Sequence, residues 1–383
     1  MSDRVVVLGA GYAGAGAVTA LEDRLADADI TWVSEHDYHL VLHEVHRVIR
    51  DRDAEDAITI PVEDIKSGDT EFVQGRVDGV DVDDRTVRLA DGSTVAYDYL
   101  LVALGSATAF YGIPGLEEHA HTLKGLDDAR GIHDAIRDAA REATPADPAR
   151  IVVGGAGISG VQIAGEVAEY RDAHDAPIEI TLVEALEEIM PGRDPALRAR
   201  VRRMLDARGI EILTDDPITE ATDEIVHFEG RDPVGYDVLV WAGGVTGQDA
   251  LEGANVEANH NRVRTDATFR TSDDRVFAVG DSAAIEIDGT DVPPTAQAAW
   301  DAADVAAENV ARAIEGRPLR TWTYKDKGTV LSVGEDAVAH DVMYFPVETF
   351  DAFPARVLKK VIGARWITSV TSPRRALSAW SVL

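Results

Sequence analysis

The 383-residue chain carries 69 acidic against 37 basic residues, a net charge of −32, with 45% apolar residues and no cysteine. The missing thiols exclude disulfides, thiolate metal sites and cysteine-based redox chemistry, and the acidic surplus repels the phosphates of nucleic acid. Length and apolar content suit two or three cored domains, and an acidic coat is what a high-salt cytoplasm favours.

The first segment, Arg4-Val-Val-Val-Leu-Gly9-Ala-Gly11-Tyr-Ala-Gly14, reads as a buried parallel strand turning into a helix. Gly9 permits the tight turn, Gly11 lets backbone amides approach a pyrophosphate, and Gly14 lets helix and strand pack closely. A second strand, Ile30 to Ser34, ends in Glu35, at the distance where a carboxylate grips a ribose hydroxyl. Together these predict a bound dinucleotide, the alternative being a structural glycine-rich turn.

His36, His39, His43 and His46 follow at spacings of three, four and three, which would place them on one helix face. No metal-ligand pattern is complete there, so no metal is expected. Residues 58–95 read as short strands with turns at Ser67-Gly68 and Asp91-Gly92, and Val102 to Ser106, with Ala103 and Gly105, closes the first nucleotide unit. An acidic helix and a Pro-Ala-Asp-Pro loop then form a crossover.

The opening pattern returns 146 residues later as Arg150-Ile-Val-Val-Gly-Gly155-Ala-Gly157-Ile-Ser-Gly160, and Thr181-Leu-Val-Glu184 echoes the strand ending in Glu35. Tyr97 to Gly105 likewise matches Tyr236 to Gly244, which contains Gly243. Three matched segments in one order describe two dinucleotide units and call for two nucleotides. Val276-Phe-Ala-Val-Gly280-Asp281 supplies a further buried strand that returns the chain to the first unit.

This order of motifs resembles the two-dinucleotide-binding-domain flavoproteins over residues 1–335, and within them the type II NADH:quinone oxidoreductases. The likeness rests on Asp37-Tyr-His-Leu, Thr181-Leu-Val-Glu-Ala with Met190-Pro-Gly192, Val240-Trp-Ala-Gly-Gly244, Val276 to Asp281, and Pro293-Pro-Thr-Ala-Gln-Ala298; Tyr324, Gly328 and Gly334 open a C-terminal part in the family manner. It implies an α/β fold: an FAD domain at 1–112 and 243–320, an inserted NAD(H) domain at 113–242, and a small α+β domain at 321–383 with a basic tail. It also implies FAD on Gly9, Gly11, Gly14, Glu35, Ala103, Gly105, Gly280, Asp281 and Ala296, with NADH on Gly155, Gly157, Gly160, Glu184 and Gly243. Gln297 and Ala296 would then line a quinone pocket, and Gln162 and Glu166 would flank the reacting groups. Three alternatives stay open: Asp281 as a helix N-cap, Gln297 as helix decoration, Glu184 as structural. Sulfide:quinone reductase shares this architecture but needs cysteines, and is dismissed.

One departure from that family stands out, because Gly160-Val-Gln162-Ile-Ala-Gly165-Glu166 carries an amide where the family usually has its first carboxylate. Gln162 can hydrogen-bond but cannot relay a proton. Glu184 as a ribose ligand favours NADH over NADPH, since it would repel a 2′-phosphate.

Residues 352–383 hold six bases (Arg356, Lys359, Lys360, Arg365, Arg374, Arg375) and no acid, +6 against −38 on the rest. Interleaved apolar residues suggest an interfacial segment that meets an anionic membrane on the cytoplasmic face; the alternative is a helix docked on the acidic body or in a homodimer interface. No apolar run approaches the roughly 18 residues needed to span a bilayer, and the N-terminus enters the first strand without a signal peptide. The leading expectation is a peripheral, non-proton-pumping NADH:quinone oxidoreductase. A soluble NADH-dependent reductase of a small electron-carrier protein and an NADH-sensing flavoprotein are the alternatives.

Overall fold

The computed structural model describes residues 2–287, 289–343 and 345–383. Its first unit begins with Arg4–Leu8 (β1), Tyr12–Glu22 (α1) and Asp29–Ser34 (β2). Tyr38–Leu40 (β3) and the single turn Arg47–Arg50 (α2) follow, and Glu71–Gln74 (β4) and Tyr99–Val102 (β5) complete its early strands. The second unit runs through Leu126–Glu142 (α3), Ala149–Gly154 (β6), Ile158–His174 (α4), Ile178–Val183 (β7), Pro195–Ala207 (α5), Glu211–Leu213 (β8) and Val238–Trp241 (β9). Val276–Ala278 (β10) and Ala296–Ile314 (α6) rejoin the first unit. The end of the chain is Thr329–Val333 (β11), Asp336–His340 (β12), Thr349–Asp351 (β13), Ala352–Val370 (α7) and Pro373–Ala379 (α8).

Two parallel sheets follow from this order. The first is β10-β5-β1-β2-β4, the second β8-β7-β6-β9, and β11-β12-β13 form an antiparallel meander. Val5, Val6, Val7 and Leu8 are fully buried, as a strand covered on both faces requires. The two units repeat one another down to their anchoring pairs. Arg4 N donates to Asp98 Oδ2 at 2.9 Å, and Arg150 N donates to Asp237 Oδ2 at 2.7 Å, so each pair ties the first strand of its sheet to the strand beside it.

Alanine-rich faces let α1 and α6 approach closely, and a Cβ on Gly16 would stand 2.9 Å from the Ala303 Cβ. Trp366 of α7 fills the next gap, buried against Tyr12 at 4.7 Å and Trp300 at 4.8 Å between ring centroids. The C-terminal helix is thus part of the first unit's core.

The four histidines do not share a helix face. His39 lies on β3, which pairs antiparallel with Thr59–Pro61; His43 is in the one-turn helix Leu42–Glu44; His46 caps α2; and His36 is exposed before β3. Pairing of β3, and the non-helical backbone of Val41 (φ −72°, ψ 71°), override the helical spacing.

Candidate functional site

At the first turn Gly9 has φ +98°, and a Cβ there would lie 2.3 Å from the Ala103 carbonyl oxygen, so only glycine fits. Gly14 is equally constrained, its Cβ position lying 1.9 Å from Gly9 O. Gly11 instead faces open space at the start of α1, whose N-terminus has no side-chain cap. That combination leaves uncovered amides and a positive helix end beside a cradle, the physical requirement for a diphosphate. Glu35 is exposed just beyond β2, and Gly105 (φ +75°) follows β5 on the opposite side of β1.

Gly280 (φ +69°) wedges between the starts of α1 and α6, 3.0 Å from the Ala13 Cβ and 3.5 Å from the Ala299 Cβ by its own Cβ position. Asp281 follows it in the short turn Gly280–Ser282, which Val279 caps, so Asp281 is not an N-cap. Its Oδ2 accepts from Ser106 Oγ at 3.3 Å, and that hydroxyl accepts from Lys124 Nζ at 3.2 Å. Burial pushes the Asp281 carboxyl up from its ordinary value against the pull of Lys124 and Arg262. Gln297, in the first turn of α6 beside Ala296, donates through Nε2 to Lys325 O at 2.8 Å, while Thr295 caps the helix. Lys124, Ser106 and Arg262 escaped sequence reasoning. A faint signal existed in Lys124, the only lysine between Lys66 and Lys325.

The second turn repeats this geometry. Gly155 has φ +92°, its Cβ position 2.6 Å from the Gly243 Cα; Gly160 sits 1.8 Å from Gly155 O by the same measure; Gly157 faces open space. Glu184 is buried at the end of β7, and its carboxylate accepts from Ala156 N at 2.9 Å and Leu186 N at 3.1 Å. It therefore lies against the turn, with lone pairs left for a hydroxyl donor.

A buried polar chain links the helices that follow the two turns. Tyr12, at the start of α1, hydrogen-bonds to His43 Nδ1, and His43 Nε2 lies 3.5 Å from Glu44 Oε1. Glu44 accepts from Arg47 Nε at 2.9 Å and pairs with Lys359 Nζ at 2.5 Å. His46 Nε2 is 3.1 Å from Ser332 Oγ, 3.2 Å from Gln162 Nε2 and 3.7 Å from Glu166 Oε1. Arg50 Nε stands 3.1 Å from Glu166 Oε2 and also pairs with Glu335. The chain thus joins the 39–50 segment, α4, β11 and α7.

Each group's charge follows from its surroundings. Burial alone would raise the Glu44 carboxyl, but Lys359, His43 and Arg47 outweigh it and hold it well below the usual carboxylate range. Burial pushes Lys359 down to about 8, against Glu44. Burial also takes His39 and His43 down to about 4, so both rings are neutral near pH 7. His39 accepts from Trp366 Nε1 at 2.8 Å, which leaves its Nδ1–H for Ala10 O at 2.7 Å. Burial raises Glu166 to about 7 despite Arg50, Arg47 and Lys359.

The expectation for the tail needs a correction. Its bases do not form one solvent-facing stripe: Lys359 is 4% exposed and bound to Glu44, and Arg375 donates to Thr59 O at 2.6 Å. Trp366 and Ile367 point into the core. A buried carboxylate in the body draws Lys359 inward, because leaving Glu44 unpaired would cost several kcal/mol. What faces outward is Phe353 at the start of α7, Leu377 on α8, and a shallow groove of 440 Å³ between the two helices lined by Val361, Arg365 and Trp380. None of the described helices is long and apolar enough to cross a membrane.

Comparison with known proteins agrees with this geometry. Over 388 aligned residues, 29% are identical to the type II NADH:quinone oxidoreductase of Staphylococcus aureus (strain NCTC 8325 / PS 47), covering 96% of each chain. The fold superposes on NDH2 from Plasmodium falciparum, solved in complex with NADH, with a TM-score of 0.83 at 16% identity over 100% of this chain and 98% of that one. It also matches the sulfide:quinone oxidoreductase of Aquifex aeolicus, with a TM-score of 0.80 at 20% identity over 98% and 92% of the two chains. Residues 3–303 match the pyridine nucleotide-disulphide oxidoreductase family, and the chain belongs to that family.

Proposed function

We propose that this chain is a peripheral membrane enzyme that oxidises NADH through FAD and reduces a membrane quinone without pumping protons. The observation that carries the reading is the pair of matched glycine turns, each with an open helix N-terminus and a carboxylate at the end of the next strand. The first cradle suits FAD: Gly11 and the start of α1 would hold the diphosphate, Glu35 a ribose, and Asp281 with Gly280 and Ala296 the ribityl side. The second suits NADH, with Gly157 at the diphosphate and Glu184 at the ribose. Residues 1–112 and 243–320 would then form the FAD domain, 113–242 the NADH domain and 321–383 the C-terminal domain. Bound there, the flavin supplies two-electron chemistry between hydride donor and acceptor.

The protein's part is to bind, orient and balance protons. With no cysteine, the chain has no disulfide to accept electrons, so the acceptor must come from outside. Gln297, fixed by Lys325 O, would present an amide toward it. Exposed Phe353 and Leu377, with Val361 and Trp380 beside Arg365 in the groove, offer the apolar and cationic contacts that an anionic membrane surface rewards, which would bring a lipid-dissolved quinone within reach. Steady-state NADH oxidation tests the reading: turnover with a short-chain quinone should far exceed turnover with a small electron-carrier protein. The reverse ranking would make the chain a reductase of that carrier.

A further inference from the structure

Quinone reduction consumes two electrons and two protons, whereas the hydride of NADH carries two electrons and only one hydrogen. One proton must therefore come from water, and position 162 holds an amide that cannot supply it. Two other buried groups beside the turns are committed. Glu44 is held as a carboxylate by Lys359 and Arg47, and His39 has both ring nitrogens engaged.

Glu166 differs from both. Its side chain is fully buried, and neither carboxylate oxygen has a hydrogen-bond partner among the described residues. His46 Nε2 stands 3.7 Å from its Oε1 and 3.2 Å from the Gln162 amide, one turn closer to the second glycine turn. On the other side, Arg50 separates Glu166 from a 650 Å³ cleft lined by Arg50, Glu335, His133, His174 and Glu169. Glu335 is half exposed in that cleft. A buried carboxyl thus lies between a water-accessible mouth and a histidine that touches the Gln162 amide.

We propose that Glu166 and His46 are the proton-carrying pair of this enzyme, filled from the cleft at Arg50 and Glu335. The proposal rests on the quinone reading above. Glu166 gives up its O–H proton to His46 Nε2, the imidazole releases the proton of its other ring nitrogen toward an oxygen of the reduced quinone, and the carboxylate regains a proton from water in the cleft. Over one turnover NADH, quinone and one proton become NAD⁺ and quinol. The groups facing Glu166 set its affinity for that proton. His46, Arg47 and Arg50 approach from the 39–50 segment, Lys359 from α7, Glu335 from the terminal meander, and Gln162 and Glu169 lie on its own helix. Burial sets the level near neutrality, about 7, so the acid form dominates below that pH and is lost above it.

The test uses the purified holoenzyme with two acceptors, a short-chain quinone that takes up protons and ferricyanide, which takes electrons alone. In wild type the quinone-to-ferricyanide ratio should fall as pH rises through about 7. In Glu166→Gln it should drop on the order of 100-fold at pH 6.5, the usual scale for losing a general acid, and lose its pH dependence; Glu166→Asp should recover part of it. An infrared pH titration reads the proton directly: a protonated-carboxyl band should disappear near pH 7 in wild type and be absent from Glu166→Gln. An unchanged ratio in Glu166→Gln, or a carboxyl band that survives the substitution, overturns the proposal. A wild type that reduces ferricyanide but no quinone refutes the acceptor reading instead, and the infrared band then decides the carboxyl's role by itself.

Discussion

Replacing Lys359 with methionine tests how far α7 belongs to the core. Methionine keeps most of the side-chain volume, so packing beside Trp366 changes little while the cation facing Glu44 disappears. Removing one partner of a buried pair costs roughly 3–5 kcal/mol, because the remaining charge stays desolvated. Arg47 Nε still contacts Glu44 at 2.9 Å, which argues for the lower end, about 3 kcal/mol. For a chain of 383 residues that corresponds to a fall in Tm of roughly 4 °C. The pH dependence carries the sign. Glu44 titrates below its ordinary 4.5 in the folded protein, so its pairing stabilises above that pH and the benefit fades as pH falls through it. The deficit of Lys359→Met should therefore be full at pH 7 and begin to shrink only below about pH 4.5, and Glu44→Gln/Lys359→Met should recover much of the loss. Thermal unfolding followed by tryptophan fluorescence reads all of this. A Tm within about one degree of wild type at pH 7 would show that Lys359 does not neutralise Glu44.

Other outcomes follow from the same geometry. Gly9→Ala should purify without flavin and with reduced stability, since its Cβ would meet the Ala103 carbonyl at 2.3 Å; absorbance of the purified variant checks it. Glu184→Ala should weaken NADH use and narrow its advantage over NADPH, seen as kcat/KM for the two nucleotides; an unchanged ratio would make Glu184 purely structural. Phe353→Ser/Leu377→Ser should lower binding to anionic vesicles and slow a long-chain quinone more than a short one. Both residues are more than half exposed, so the fold should persist. Equal losses with both quinones would remove the membrane reading.

The glycine turns were legible in the sequence because their logic is local. A turn, a helix start and a strand end lie within some 30 residues, and the Arg4 and Arg150 strands repeat the same pattern. The buried chain of charges was not legible, because its partners come from far apart: His46 meets Ser332 across 286 residues and Glu44 meets Lys359 across 315. A hint lay in Glu44 itself, an acid set in the apolar stretch Leu40 to Val45, where burial demands a cation from somewhere. The tail misled for the same reason. Its composition is that of an interfacial segment, but composition does not tell which bases face outward, and a buried carboxylate elsewhere in the chain claims one of them. The histidine spacing has no helical counterpart, because β3 pairs with Thr59–Pro61 and takes His39 onto a strand.

The central claim, electron transfer from NADH through a flavin to a quinone, is tested most directly by an anaerobic single turnover. One equivalent of NADH should bleach the visible flavin absorbance of the purified protein, and one equivalent of a short-chain quinone should restore it. A protein without flavin that takes up none from added FAD, or a bleached flavin that quinone leaves reduced, would contradict the account.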